Sequence, residues 1–109
     1  MSPGKLAAQA GHAFLDSFLA SAESRPQYAH AYRGDSHGTK VTLSSPDLDQ
    51  LLRAEALARS EGIPCALITD SGHVLPPHFD GSPVITALGL GPAWRSEVRH
   101  ITRRFALVR

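Results

Sequence analysis

One cysteine is the whole thiol content of this 109-residue sequence, so Cys65 has no partner for an internal disulfide. Such thiol usage is typical of a reducing compartment. Long apolar runs are also missing, which excludes a membrane-spanning helix of about 20 residues. The first residues, Met1 to Lys5, lead into no apolar signal core. We therefore expect one cytoplasmic domain over residues 1–109, within the usual size range of a single core.

Neither sign of charge is in large excess, because the formal net charge is only +1. This balance argues against a protein that coats nucleic acid by bulk charge. Arginine is nevertheless concentrated near the end of the sequence, where residues 91–109 hold five arginines and one acidic residue. Arg95, Arg99 and Arg103 are spaced four apart and share one face of any helix that contains them. That face either steers an anionic partner or is an ordinary solvated surface.

Helical periodicity begins close to the first residues. Ser2 and Pro3 are typical of an N-cap and a first helical position, and the pattern predicts a helix from Gly4 to about Glu23. The predicted buried side of this helix contains Leu6, Ala10, Ala13, Phe14 and Ser17, with Ala7 and Phe18 at its edge.

A second helix is predicted to open at Ser45-Pro46-Asp47 and to close at Gly62, in the position favoured for a left-handed cap. Residues 25–38 contain proline and several glycines and are predicted to be a mobile connection, followed by a strand over 39–43. The leucines of the second helix predict its buried stripe, which is Leu48, Leu51, Leu52 and Leu57.

Two apolar runs, 63–69 and 83–90, predict buried strands. Between them, residues 70–72 predict a turn and residues 73–81 predict a loop. A short helix is expected to start at Gly91-Pro92, and residues 105–108 predict a last strand. This alternation of helices and strands predicts an α/β layered domain.

The opening of the first helix carries the first candidate for chemistry. Gly4 and Lys5 combine free backbone N–H groups, a favourable helix dipole and a cation, which together suit a phosphate. Gln9 and His12 lie on the same side as Lys5, and histidine is the usual general base near neutral pH. A lone helix histidine is also common as an ordinary surface residue, so both interpretations stay open.

A second candidate is Asp70, at the carboxyl end of a predicted strand, where open α/β sheets place ligand-handling residues. Aspartate before Ser-Gly is equally a favoured turn residue. The run from Thr86 to Pro92 has paired glycines that allow close backbone approach, but it lacks the third glycine of a dinucleotide fingerprint. His73, His78 and Asp80 match no zinc spacing, so we expect neither a metal site nor a cofactor.

Taken together, the motifs resemble the type 2 peptidyl-tRNA hydrolase family. The block Gly4-Lys5-Leu6-Ala7-Ala8-Gln9-Ala10-Gly11-His12-Ala13 is similar to its Gly-Lys, Ala-Ala-Gln and histidine signature. Three further blocks follow in the family's order, namely Lys40-Val41 with Ser45-Pro46-Asp47, then Leu67-Ile68-Thr69-Asp70-Ser71-Gly72, then Thr86 to Pro92.

The resemblance implies a three-layer α/β/α fold with a small mixed sheet. It also implies hydrolysis of the ester between peptide and tRNA without a metal, with peptidyl-tRNA as the partner. Members of the family often associate as homodimers, but no stretch of this sequence marks an interface, so the number of subunits stays open. The implied catalytic residues are Lys5, His12, Asp70 and Thr86, and the implied substrate-binding residues are Gln9 and Lys40, to which the basic face adds Arg95 and Arg99.

The sequence departs from the family pattern at Val74, where a threonine is usual nearby, and in a proline-rich stretch at 76–82. It also contains no strand before the Gly-Lys helix, so we expect either a native start upstream of Met1, which we favour, or a sheet with one strand fewer. Two other functions therefore stay open: a paralogue that binds RNA or protein without hydrolysis, and hydrolysis of another small ester or amide.

Overall fold

A computed structural model describes residues 2–34, 38–70, 74–75, 79–80 and 84–108, with backbone only at 74–75 and 79–80. The first helix, α1, spans Pro3–Ser24, and the side chain of Ser2 accepts a hydrogen bond from the Lys5 backbone N–H at 3.2 Å. The predicted helix and its cap are therefore confirmed. None of the described helices is long and apolar enough to cross a membrane.

The buried face of α1 differs from the predicted one. Its buried residues are Gln9, Ala13, Ser17 and Ser21, whereas Ala7 is exposed. The apolar pattern placed Gln9 on a neighbouring polar face. Small and polar residues occupy the buried face because a strand approaches α1 closely there, at a glycine, so that large side chains are displaced to its flanks.

Residues 26–34 form a second helix, α2 (Pro26–Gly34), so the predicted mobile connection over 25–38 is wrong for this stretch. The misleading signal was Pro26, which stands at the first position of the helix, where its missing N–H costs nothing. The helix packs on α1, with Ala29 buried and the Phe18 and Tyr32 rings 5.9 Å apart.

The strand predicted over 39–43 is shorter and displaced, because β1 spans only Leu43–Ser44. It pairs antiparallel with β6 (Ala106–Leu107). The last strand, predicted over 105–108, is therefore confirmed for its two central residues. The next helix, α3 (Leu48–Ser60), is capped by Asp47, which accepts from the Gln50 backbone N–H at 2.8 Å. Gly62 follows with a φ of 71°, as the predicted left-handed cap requires.

The predicted leucine stripe of α3 is wrong in part, since Leu48 and Leu57 are exposed. Two alanines, Ala54 and Ala58, are the buried residues of this helix. Small side chains let α3 lie close to its neighbours, and the core forms around them with Ile63, Cys65 and Ile101, against which Leu88, Leu90, Ala93, Val98 and Phe105 pack.

The two long strands, β2 (Cys65–Asp70) and β5 (Val84–Leu90), pair antiparallel. They confirm the strands predicted over 63–69 and 83–90 to within two residues at each end. Between them, β3 (Val74–Leu75) and β4 (Phe79–Asp80) form a short antiparallel pair, so the loop predicted over 73–81 is wrong at these four residues. The predicted turn at 71–72 lies outside the described residues. A parallel pair would need a crossover connection, usually a helix, between its strands. The described residues between β2 and β5 contain no helix, in agreement with the antiparallel pairing.

The last helix, α4, spans Arg95–Thr102 and begins four residues after Gly91, where its start was predicted. Its first turn is held by Glu97, whose carboxylate accepts from the Trp94 backbone N–H at 3.0 Å. Helix α1 packs on β2 and β5, while α3 and α4 contribute to the core with Leu88 and Leu90. The α/β fold class is confirmed; the described strand pairs are antiparallel, whereas the resemblance implies one mixed sheet.

Candidate active site

Lys5 and Asp70 form an ion pair where the first turn of α1 meets the end of β2. The distance from Lys5 Nζ to Asp70 Oδ2 is 3.0 Å, and the side chains are 35% and 20% exposed. Helix α1 presents Lys5 one turn before Gln9, so that both face the same end of the strand. The pair therefore holds a carboxylate and a cation at a surface that substrate can reach.

The side-chain amide of Gln9 continues this arrangement inward. Gln9 is only 7% exposed, and its Nε2 donates to Asp70 Oδ2 at 3.2 Å. Its Oε1 accepts from the Thr86 hydroxyl at 3.0 Å. Both ends of the amide are thus engaged by groups 61 and 77 residues away in sequence.

Thr86 reaches Gln9 because β5 carries a bulge. Ile68 pairs with Ala87 and Thr69 pairs with Ile85, so Thr86 has no opposing residue on β2. An extra residue in one strand bends the strand and re-aims a side chain. The bulge turns Thr86 toward α1, on the same side as Gly89, even though strict alternation would put these two residues on opposite faces.

These four residues, Lys5, Gln9, Asp70 and Thr86, are called the Asp70 cluster below. All four belong to the set that the sequence singled out, and the structure places them in one hydrogen-bonded chain. A cation, a carboxylate, an amide and a hydroxyl at one point can orient water and stabilise charge that develops at a carbonyl oxygen.

Two of the singled-out residues lie apart from this chain of contacts. His12 is exposed on α1, one turn after Gln9, and makes no hydrogen bond or ion pair with a residue that the structure describes. Lys40 is exposed and lies 5.2 Å from the centre of the Tyr32 ring, as a cation–π pair.

A cleft of about 1360 Å³ extends from the inner half of the Asp70 cluster to the start of α4. Gln9 and Thr86 line it, and so do Trp94 and Arg95 at the start of α4. Arg95 and Arg99 are exposed on α4, and the Trp94 side chain is 61% exposed. Nothing in the sequence points to Trp94, because a single aromatic residue outside a motif carries no signal of its own.

Cys65 is not available as a nucleophile, since burial raises the pKa of its thiol and keeps it protonated. Within the described ranges, no three His, Cys, Asp or Glu side chains are grouped closely enough to hold a metal ion together. His73 and His78 lie outside those ranges.

Comparison with known proteins adds an independent line of evidence. The family model described as "Peptidyl-tRNA hydrolase PTH2" matches residues 1–108. Three relatives are each named peptidyl-tRNA hydrolase. The Methanopyrus kandleri protein is 36% identical over 100% of this chain and 89% of its own length. The Methanocaldococcus jannaschii protein is 31% identical over 99% and 90%, and the Methanothermobacter thermautotrophicus protein is 34% identical over 94% and 84%.

Proposed function

Because the chain belongs to the peptidyl-tRNA hydrolase PTH2 family, we propose that it hydrolyses the ester between peptide and tRNA in peptidyl-tRNA, at the Asp70 cluster. In this reaction the oxygen of water bonds to the ester carbonyl carbon, and the bond to the 3′-oxygen of the terminal ribose breaks. One proton of the water passes to a base and then to the departing 3′-oxygen. The products are a free peptide acid and a tRNA with a free 3′-hydroxyl.

The single observation that carries the proposal is the Asp70 carboxylate held between the Lys5 ammonium and the Gln9 amide. An ionised carboxylate accepts a hydrogen bond from water and orients it for attack. The ammonium beside it is suited to a developing oxyanion or to the phosphate of the terminal nucleotide. Asp70 and Lys5 are therefore proposed as catalytic residues.

His12 is proposed as a second group for proton transfer, because an imidazole can both accept and donate a proton and this one lies one turn from Gln9. Lys40 is proposed to bind the substrate with its ammonium, which lies near the Tyr32 ring of α2. Both roles rest on the family motif and on position, since neither side chain contacts the Asp70 cluster through a bond described above.

Arg95 and Arg99 are proposed to bind the phosphates of the tRNA. They are exposed on α4, and Arg95 lines the same cleft as Gln9 and Thr86. Arginine pairs well with phosphate, and such contacts hold a nucleic acid without reading its sequence. Trp94 beside them offers an exposed ring on which an unpaired base can stack.

No observation favours a paralogue that has lost hydrolysis, since the relatives described above are all named hydrolases. Because peptidyl-tRNA is a product of translation, we propose a cytoplasmic location. A homodimer also stays a prediction; Leu15 and Leu19, exposed one turn apart on α1, form the apolar surface to test by sedimentation of a Leu15→Lys variant.

The experiment is a turnover assay with purified peptidyl-tRNA. We expect Asp70→Asn to lower kcat by roughly 10²- to 10⁴-fold, because the amide cannot accept a proton, and His12→Ala to lower it as well. Asp49→Asn is the matched control, since Asp49 is an exposed carboxylate on α3. Unimpaired turnover would remove Asp70 or His12 from the mechanism. Salt-sensitive tRNA binding by the unchanged protein without cleavage would instead identify a binding module.

A further inference from the structure

The amide of Gln9 has a direction that the chemistry of its neighbours determines. Asp70 is an ionised partner of Lys5, and a carboxylate only accepts hydrogen bonds. The amide nitrogen must therefore face Asp70, as it does at 3.2 Å, and the amide oxygen must face Thr86. The reversed amide would place two acceptor oxygens against each other in a site where Gln9 is 7% exposed.

This direction passes on to Thr86. Its hydroxyl has one proton, and its two described hydrogen-bond partners are both acceptors: Gln9 Oε1 at 3.0 Å and the Ile68 carbonyl at 3.4 Å. The proton is therefore used inside the protein, whichever of the two receives it. What Thr86 offers to the cleft that it lines is a lone pair.

We propose that Gln9 is a positioning residue that sets the direction of this hydrogen-bond chain, and that Thr86 consequently receives an O–H donor at the reacting ester. The donor is either the attacking water or the 2′-hydroxyl of the terminal ribose, next to the bond that breaks. In this role Gln9 acts through Asp70 and Thr86 and does not touch the substrate, in contrast to the binding role that the motif suggests. The proposal rests on the proposed function.

Gln9→Glu tests the direction, because a carboxyl group reproduces the amide only while it is protonated. In that form its O–H donates to Asp70 and its carbonyl oxygen accepts from Thr86. Once it loses the proton, two carboxylates face each other with Lys5 as the charged group opposite them. Two acidic groups so placed share one proton up to a higher pH than either would alone.

We therefore expect the kcat of Gln9→Glu, as a ratio to that of the unchanged protein, to be greatest in mild acid. The ratio should fall as pH rises, by about tenfold per pH unit once the shared proton is lost. Gln9→Met has neither donor nor acceptor, so its kcat should be reduced at every pH. Circular dichroism over the same pH range separates these losses from unfolding.

Gln50→Glu is the matched control, since the Gln50 amide also donates to an aspartate, Asp47, at 3.5 Å, but on the exposed start of α3. Its kcat ratio should not depend on pH. A Gln9→Glu variant that is folded and whose ratio stays constant with pH would overturn the positioning role. Cleavage by the unchanged protein tests the proposed function separately.

The two donors are distinguished with Thr86→Val and a substrate whose terminal ribose lacks the 2′-hydroxyl. If the 2′-hydroxyl is the donor, removing it lowers kcat as much as Thr86→Val does, and combining the two lowers kcat no further. If water is the donor, the two losses multiply. Thr86→Ser keeps the hydroxyl and should retain most of the activity. Unchanged kcat of Thr86→Val on both substrates would overturn the acceptor role of Thr86.

Discussion

Gly89 of β5 lies directly against the backbone of Ala13 on α1. A Cβ atom at position 89 would stand 2.1 Å from the Ala13 carbonyl oxygen and 2.8 Å from the Ser17 Cβ. The Ser17 hydroxyl adds a hydrogen bond to the Gly91 carbonyl at the same contact. Because α1 and β5 lie this close together, Gln9, one turn earlier on α1, is within hydrogen-bond distance of Thr86.

Gly89→Ala should lower the free energy of unfolding by about 1 to 3 kcal/mol, as overpacking of a close contact does. The nearest atom is the backbone carbonyl oxygen of Ala13, so α1 must move away from β5. We therefore expect kcat to fall together with the free energy of unfolding. Urea denaturation and the turnover assay measure the two effects. Gly11→Ala is the control of opposite sign: the position is open, and the variant should gain up to about 1 kcal/mol from helix propensity. Equal stability of both variants would contradict the close contact.

Replacing Arg95 and Arg99 by glutamine should weaken tRNA binding and leave the kcat of bound substrate nearly unchanged. Each lost phosphate contact reduces the slope of log affinity against log salt by about one. A salt titration of tRNA affinity measures this slope. Arg53→Gln is the control, because Arg53 is an exposed arginine on a different helix, α3, where it forms an i,i+4 pair with Asp49. An unchanged slope in the double variant would show that α4 does not contact phosphate.

Lowering the pH should reduce the free energy of unfolding, in part because Glu97 becomes protonated. The Tyr28 hydroxyl donates to this carboxylate at 2.6 Å, and together with the Trp94 backbone N–H it lowers the pKa of Glu97. A lowered pKa contributes stability that is present above the ordinary range of glutamate and is lost as pH falls through the folded value. The bond also links α2 to α4.

Tyr28→Phe should therefore be less stable than the unchanged protein at neutral pH, with a difference that shrinks as pH falls below about 4. Urea denaturation between about pH 3 and pH 7 gives the comparison. Tyr32→Phe, on the same helix, should show a difference that does not depend on pH. A constant difference for Tyr28→Phe as well would mean that its hydroxyl does not stabilise the charged form of Glu97.

The elements that the sequence predicts well are those set by local chemistry. Ser2 and Asp47 cap their helices through hydrogen bonds within three residues, and Gly62 needs only its own backbone angle. The helix α2 was missed because the proline that opens a helix is also a common turn residue. The buried alanines of α3 were missed because the distance between packed elements, and not hydrophobicity, decides which side chains fit.

The candidate site shows the same division. Lys5, Gln9, Asp70 and Thr86 could be singled out from motifs, but the direction of the Gln9 amide could not. That direction follows from the pairing of Lys5 with Asp70 across 65 residues of sequence and from the bulge that turns Thr86. Strand register is a relation between two segments, so neither segment contains it alone.

The bulge in β5 separates two environments along one strand. Thr86, Leu88 and Leu90 are spaced by two, yet Thr86 meets Gln9 while the leucines meet the core around Ala58. In a regular strand all three would share one environment, and a substitution in the core would directly affect the position of Thr86. Here the two halves of one strand face separate neighbours. A substitution at Leu88 or Leu90 should therefore change the free energy of unfolding and leave the hydrogen bond between Gln9 and Thr86 in place.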